Sequence, residues 1–167
     1  MRMAYLRMSL IMVLCCLSGQ GQQQASIPKG VQRVLGCMLP LDESFARKSL
    51  HLRRQDGIYF RFLEGPIPHT GDAELKDTFV NVILYDRHET RAVIRTAILT
   101  EKDIAVDQSP FFLVKTRGEW QVREGPLGPG TWDTIAAFVE SARSQPLRFL
   151  RLNDFPPEPQ GCVSGRM

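Results

Sequence analysis

Long apolar runs are missing from this chain of 167 residues. The longest, MSLIMVLCCL at residues 8–17, contains Ser9 and covers only about half of the ~20 residues that a membrane-spanning helix needs. That excludes a multi-span helical membrane protein. Charge of one sign is also scarce. The net charge is +3, too small to make an electrostatic case for nucleic acid or a polybasic membrane surface. Neither a Gly-x-Ser-x-Gly elbow, a lysine-bearing phosphate loop, a cofactor fingerprint nor an internal repeat occurs. These absences favour a non-enzymatic reading, with no cofactor or metal expected, although active sites can assemble from scattered residues. What is present is ordinary for a globular chain. Hydrophobic residues make 43% and charged residues 23%, which excludes a wholly disordered chain, and the length suits one domain with tails.

Arg2 and Arg7 form a short basic start, and residues 8–17 follow at the length of a signal-peptide core. Gly19 and Gly21 supply the small residues wanted three and one before a cut. Residues 1–21 are therefore expected to be a signal peptide cleaved after Gly21, with Ala25 as second choice. Cys15 follows Leu14 and Cys16 follows Cys15, so neither has the small residue that a lipoprotein signal wants, and a lipid anchor is not favoured. Loss of Arg2 and Arg7 leaves a near-neutral exported chain, periplasmic or secreted, with no membrane span.

Cys15 and Cys16 would leave with the signal, and Cys37 and Cys162 remain. Two cysteines in an exported chain have one internal connectivity. A Cys37–Cys162 bridge is expected, closing a loop of about 125 residues.

Residues 22–30 read as a flexible leader, 31–152 as a single α+β domain and 153–167 as a Pro-rich tail. Residues 31–39 are apolar apart from Gln32, Arg33 and Gly36, and too short to assign. Asp42 could cap a helix through Phe45, Ala46 and Leu50, though the segment could equally run extended. From Gly57 the pattern alternates, with Ile58, Phe60 and Phe62 on one face. Residues 79–85 (FVNVILY) are apolar on both faces except Asn81 and predict a central strand. Asp86 to Thr90 is a polar turn, after which Ala92, Ile94, Thr96 and Ile98 share a face. Residues 111–115 and 120–123 predict a hairpin around Gly118. Thr131 is the expected N-cap of a helix to Arg143, with Trp132, Ile135, Ala136, Val139 and Ala142 at helical spacing. Residues 147–152 predict a short strand or extended arm.

The three histidines, His51, His69 and His88, stand near no other ligand at metal spacing. His88-Glu89 begins like a zinc-protease motif, but Ala92 occupies the place of the second histidine. Gly125-x-x-Gly128-x-Gly130 resembles a phosphate cradle in composition, yet Pro126 and Pro129 lack amide hydrogens, so a structural corner is preferred. Glu101, Asp103 and Asp107 lack the density and central glycine of a calcium loop. Arg148 and Arg151 flank Phe149 and make either a docking strip or the charged protection of an edge strand.

The run 79–124, paired strands closing in a Gly-Glu-Trp-Gln-Val hairpin, is similar to the sheet of nuclear-transport-factor-like and cystatin-like domains. It covers under half of the chain and carries no motif. The resemblance implies a sheet curled around an N-terminal helix with a cone-shaped pocket. This chain departs from it in having its clearest helix after the hairpin, and no functional residue is carried over.

The expected fold is α+β: an antiparallel sheet of about five strands with a C-terminal helix on one face. Trp132, Ile135 and Val139 should pack against Phe79, Val82, Ile94 and Val122. The expected function is a binding or accessory domain for a protein or small-molecule ligand. The alternative is a small pocket enzyme or ligand carrier with a curved, nuclear-transport-factor-like sheet, its pocket lined by Tyr59, Phe60, Tyr85 and Trp120.

Overall fold

A computed structural model describes residues 26–68, 78–107, 109–151 and 161–163. The expected signal peptide and its cleavage sites, His69 and most of the Pro-rich tail lie outside the described residues, whereas the end of the expected leader does not: Ile27 packs on a core and Lys29 and Gly30 open the first helix. The chain opens with helix α1 (Lys29–Ser49). Strands β1 (Ile58–Glu64), β2 (Thr78–Tyr85), β3 (Arg91–Leu99), β4 (Ile104–Val106), β5 (Phe111–Thr116) and β6 (Glu119–Glu124) follow. Helix α2 (Trp132–Ser141), β7 (Arg148–Leu150) and β8 (Cys162–Val163) complete the order, and 3-10 turns flank α2 at Pro129–Thr131 and Ala142–Ser144.

The main sheet runs β6-β5-β3-β2-β1-β7, antiparallel at each step, with β4 also paired to β3 and β8 paired to β4 in parallel. The α+β class, the antiparallel pairing, the central place of β2 and the C-terminal helix agree with expectation. The strand number does not: among the described residues the sheet has eight strands, not about five. The additional ones are short. Flanking Asp103 and Asp107 disguise β4 as a polar connection, and β8 is two residues held in the tail by β4 and the disulfide.

Helix α1 corrects the ambiguous reading of residues 31–56. Val31, Val34, Leu35 and Met38 are fully or almost fully buried at helical spacing, and Ala46 and Leu50 continue the buried face toward the helix end. Pro40 split this pattern in the sequence, because a proline usually ends a helix. Here the helix runs through it. The apolar face, not local propensity, decides the element.

The sheet is packed on both sides. On one, α1 lies over β2, β3 and β4, joining Phe60, Val80, Val82, Leu84, Val93 and Ala97 in a core. On the other, α2 lies over β6, and Ile135 and Val139 are fully buried with Ile83, Ile94, Leu113 and Val122. The expected partners of α2 are thus correct for Ile94 and Val122 and wrong for Val82. Side chains alternate across a strand, and it is Ile83, opposite Ile94, that shares the α2 face. Trp132 is half-buried against this second core, and Phe79 is buried outside it.

Candidate functional site

Where α1 stops, it leaves part of the sheet uncovered. Beyond its end, the α1 face of the β5–β6 hairpin is open, and the step between helix and hairpin forms a cleft of about 900 Å³. Local rules end the helix here. The Leu52 N–H bonds the Arg47 carbonyl at 2.7 Å and the His51 N–H bonds that of Lys48 at 3.2 Å, the paired bonds of a Schellman cap. His51 takes the left-handed position, φ 53°, where glycine is the usual residue. Its Nδ1 donates to the Ser49 carbonyl at 3.1 Å, which sets the tautomer. Arg91 donates to the Leu50 carbonyl at 3.2 Å. The helix-terminal carbonyls are therefore satisfied from within the protein. Arg47 ties the following loop by donating to the Arg53 and Asp56 carbonyls at 2.8 and 2.7 Å.

The lining combines aromatic and cationic groups. Phe45 and Phe112 meet with ring centroids 5.7 Å apart. Lys48, Arg91, Arg123 and Glu124 also line the cleft. The Lys48 and Arg123 side chains are exposed and make no ion pair or hydrogen bond with another described residue. The sequence hid this arrangement because its members come from α1, β3, β5 and β6. The only local sign was the polar outer alternation of β6, Gln121 and Arg123, which any exposed strand face would show.

A second polar cluster is structural. Arg61, on the α2 face of β1, donates to both Glu89 carboxylate oxygens at 2.8 and 3.2 Å and to the Gln145 carbonyl at 2.8 Å. It stands 5.0 Å from the Tyr85 ring centroid. Burial opposes the Arg61 charge, but Glu89 and Tyr85 outweigh it and raise its pKa above the ordinary value. Burial pushes the Tyr85 phenol up to about 12, with Arg61 pulling the other way. The phenol oxygen is near this guanidinium yet forms no well-aligned hydrogen bond among the described residues. The signal for this cluster was legible: a lone arginine interrupting an aromatic strand.

The expected pocket residues are divided. Tyr85 and Trp120 meet at 5.9 Å in the α2-side core, whereas Phe60 is fully buried on the α1 side. Tyr59 packs on Phe149 at the β1–β7 edge, with centroids 5.1 Å apart. None of the four lines the large cleft. His51 does, and His88 is exposed in the β2–β3 turn. No group of three metal-binding side chains occurs among the described residues. Gly125 is a packing glycine, since a Cβ there would fall 2.3 Å from the buried Phe111 ring. Arg148 is buried over Phe62, so of the two arginines Arg151, just past β7 and at 5.9 Å from the ring of the exposed Phe149, is the one on an exposed strip. Cys37 and Cys162 form a disulfide, Cα atoms 5.7 Å apart.

The protein is thus an α+β protein with a helix on each face of one sheet, and among the described residues no helix is long and apolar enough to cross a membrane. Comparison with protein-family models, curated proteins and solved structures returns no match.

Proposed function

We propose that this chain is an exported, non-enzymatic binding or accessory domain. One observation carries the reading: most aromatic and aliphatic side chains fill two cores, while the large cleft is open and two of the cationic side chains that line it, Lys48 and Arg123, have no ion-pair or hydrogen-bond partner among the described residues. Arg61, Glu89 and Asp86 are occupied in holding strands and turns together. Lys48 and Arg123 are not. Binding would then involve a preformed surface and little rearrangement.

The alternative, a small ligand carrier or pocket enzyme, draws support from the position of α1, an N-terminal helix packed on the sheet. It needs a catalytic group or an enclosed cavity at the ligand. A thermal-shift screen with product analysis separates the two. A ligand held at one hundred times its Kd adds about 2.7 kcal/mol, and hence raises Tm by about 5–10 °C in a chain of this size. Saturable stabilisation without conversion supports the binding domain. Turnover of a bound compound overturns it. Export is tested by N-terminal sequencing: a start at or near Gln22 is expected, and intact Met1 in the cytoplasm is the opposite result.

A further inference from the structure

We infer that the cleft beside the end of α1 binds a small organic carboxylate with a flat apolar body. The inference deepens the binding-domain reading and rests on it. Its first support is shape. The cleft of about 900 Å³ falls within the range of small-molecule sites. Its floor is the half-buried Phe112 and Val114 of β5, on the sheet face that α1 fails to cover, and Phe45 closes one side. A flat apolar group lying there removes this floor from water.

The second support is charge. Lys48, Arg91 and Arg123 approach the cleft from three different elements, and among the described residues Glu124 is the one carboxylate that lines it. Arg91 is anchored on the Leu50 carbonyl, which fixes its guanidinium at the wall. Lys48 and Arg123 have no carboxylate partner among the described residues, so an incoming carboxylate would displace only water. The negative end of α1 would ordinarily disfavour an anion here. Its last carbonyls, however, already accept from Leu50, Leu52, His51 and Arg91. A cation or a neutral ligand would leave the three positive groups unanswered. A bare inorganic anion would leave the aromatic floor wet.

The test uses the disulfide-bonded protein, with isothermal titration and amide NMR shifts as readouts. The probes are 2-naphthoate, its neutral amide 2-naphthamide, 2-naphthylmethylamine and inorganic phosphate. Saturable binding of 2-naphthoate is expected, with shifts centred on Phe112, Val114 and His51. The neutral amide should bind about tenfold more weakly, since each lost charge contact to an exposed cation is worth a few-fold. The pair Lys48→Gln and Arg123→Gln lies on exposed positions, should keep the wild-type Tm, and should weaken 2-naphthoate about tenfold. Equal affinity for naphthoate and naphthamide, tighter binding of the amine, equal binding of phosphate, or an unchanged affinity in the double variant each overturns the inference. A neutral or cationic ligand seated in the cleft without turnover would overturn the inference while leaving the binding domain standing. Turnover of 2-naphthoate or another bound probe would overturn the binding-domain reading itself.

Discussion

A guanidinium in the middle of a strand is costly to bury, and Arg61 is only 7% exposed. The cost is offset by fixed acceptors. Asp86 orders the β2–β3 turn by accepting from the Thr90 and Arg91 amides at 2.6 and 2.9 Å and the Thr90 hydroxyl at 2.7 Å. Glu89 then takes a left-handed backbone, φ 51°, and meets Arg61 with both oxygens. Removing one charge of a buried pair costs several kcal/mol, and the 26% exposure of Glu89 reduces that. Glu89→Gln is expected to lower the unfolding free energy by about 2 kcal/mol in urea. Adding Arg61→Leu to it should cost little more, because the two side chains act as one unit. Fully additive losses would contradict the pairing. Tyr85 gives a pH dependence. Its phenol is raised from 10.0 to about 12 in the folded protein, so the unfolded chain releases this proton first as pH rises. The contribution is intact below about pH 10 and falls by roughly 2–3 kcal/mol as pH approaches 12. Over that window the wild type should therefore lose roughly 2–3 kcal/mol relative to Tyr85→Phe, whose curve lacks this fall. Parallel curves would refute the shift.

At the level of elements, ends matter more than middles. Helix α1 stops by a cap that favours glycine, yet histidine occupies the left-handed position. A left-handed residue with a Cβ costs about 1–2 kcal/mol, and the extra chain entropy of glycine returns about 0.5–1. His51→Gly should therefore leave Tm unchanged or raise it by a few degrees, while removing an imidazole from the cleft wall. A clear fall in Tm would mean that the ring contributes packing beyond its bond to Ser49. The β5–β6 hairpin shows the same economy of local chemistry. Arg117 and Gly118 both have positive φ, 53° and 90°, as a two-residue turn matched to the twist of its strands requires. This turn was legible from Arg117-Gly118. The N-terminus of α2 was less so: the Thr131 hydroxyl donates back to the Gly128 carbonyl at 2.9 Å and does not cap the helix amides.

For the whole molecule, the disulfide is the longest covalent link. It joins α1 to β8 across 125 residues, and β8 in turn pairs with β4. Closing so large a loop in the unfolded chain is worth about 4–5 kcal/mol in the chain-entropy model. The Cys37→Ala and Cys162→Ala double variant is expected to lose about 3–5 kcal/mol and about 10 °C in Tm, with far-ultraviolet dichroism retained. Amide exchange should then quicken first in β8 and β4, the strands held at the tail. A loss below about 1 kcal/mol would mean that the unfolded chain is already restricted by other means.

Strand alternation at 58–63 and 91–99, the apolar run 79–85, the hairpin at Gly118 and the helical spacing of Ile135 and Val139 are properties of neighbouring residues. The sequence by itself determined them, along with the single pairing open to Cys37 and Cys162. Contacts far apart in the chain decided the rest. Whether residues 29–49 form one helix through Pro40 depended on the sheet face available to bury Val31, Leu35 and Met38. Which side of the sheet Val82 faced depended on where α1 and α2 docked. β4 and β8 are too short to announce themselves and exist because β3 and the disulfide hold them. The cleft has the same origin: four elements meet where a helix ends before the sheet does. No window of sequence contains that edge, because it is set by how far one packed layer reaches across another.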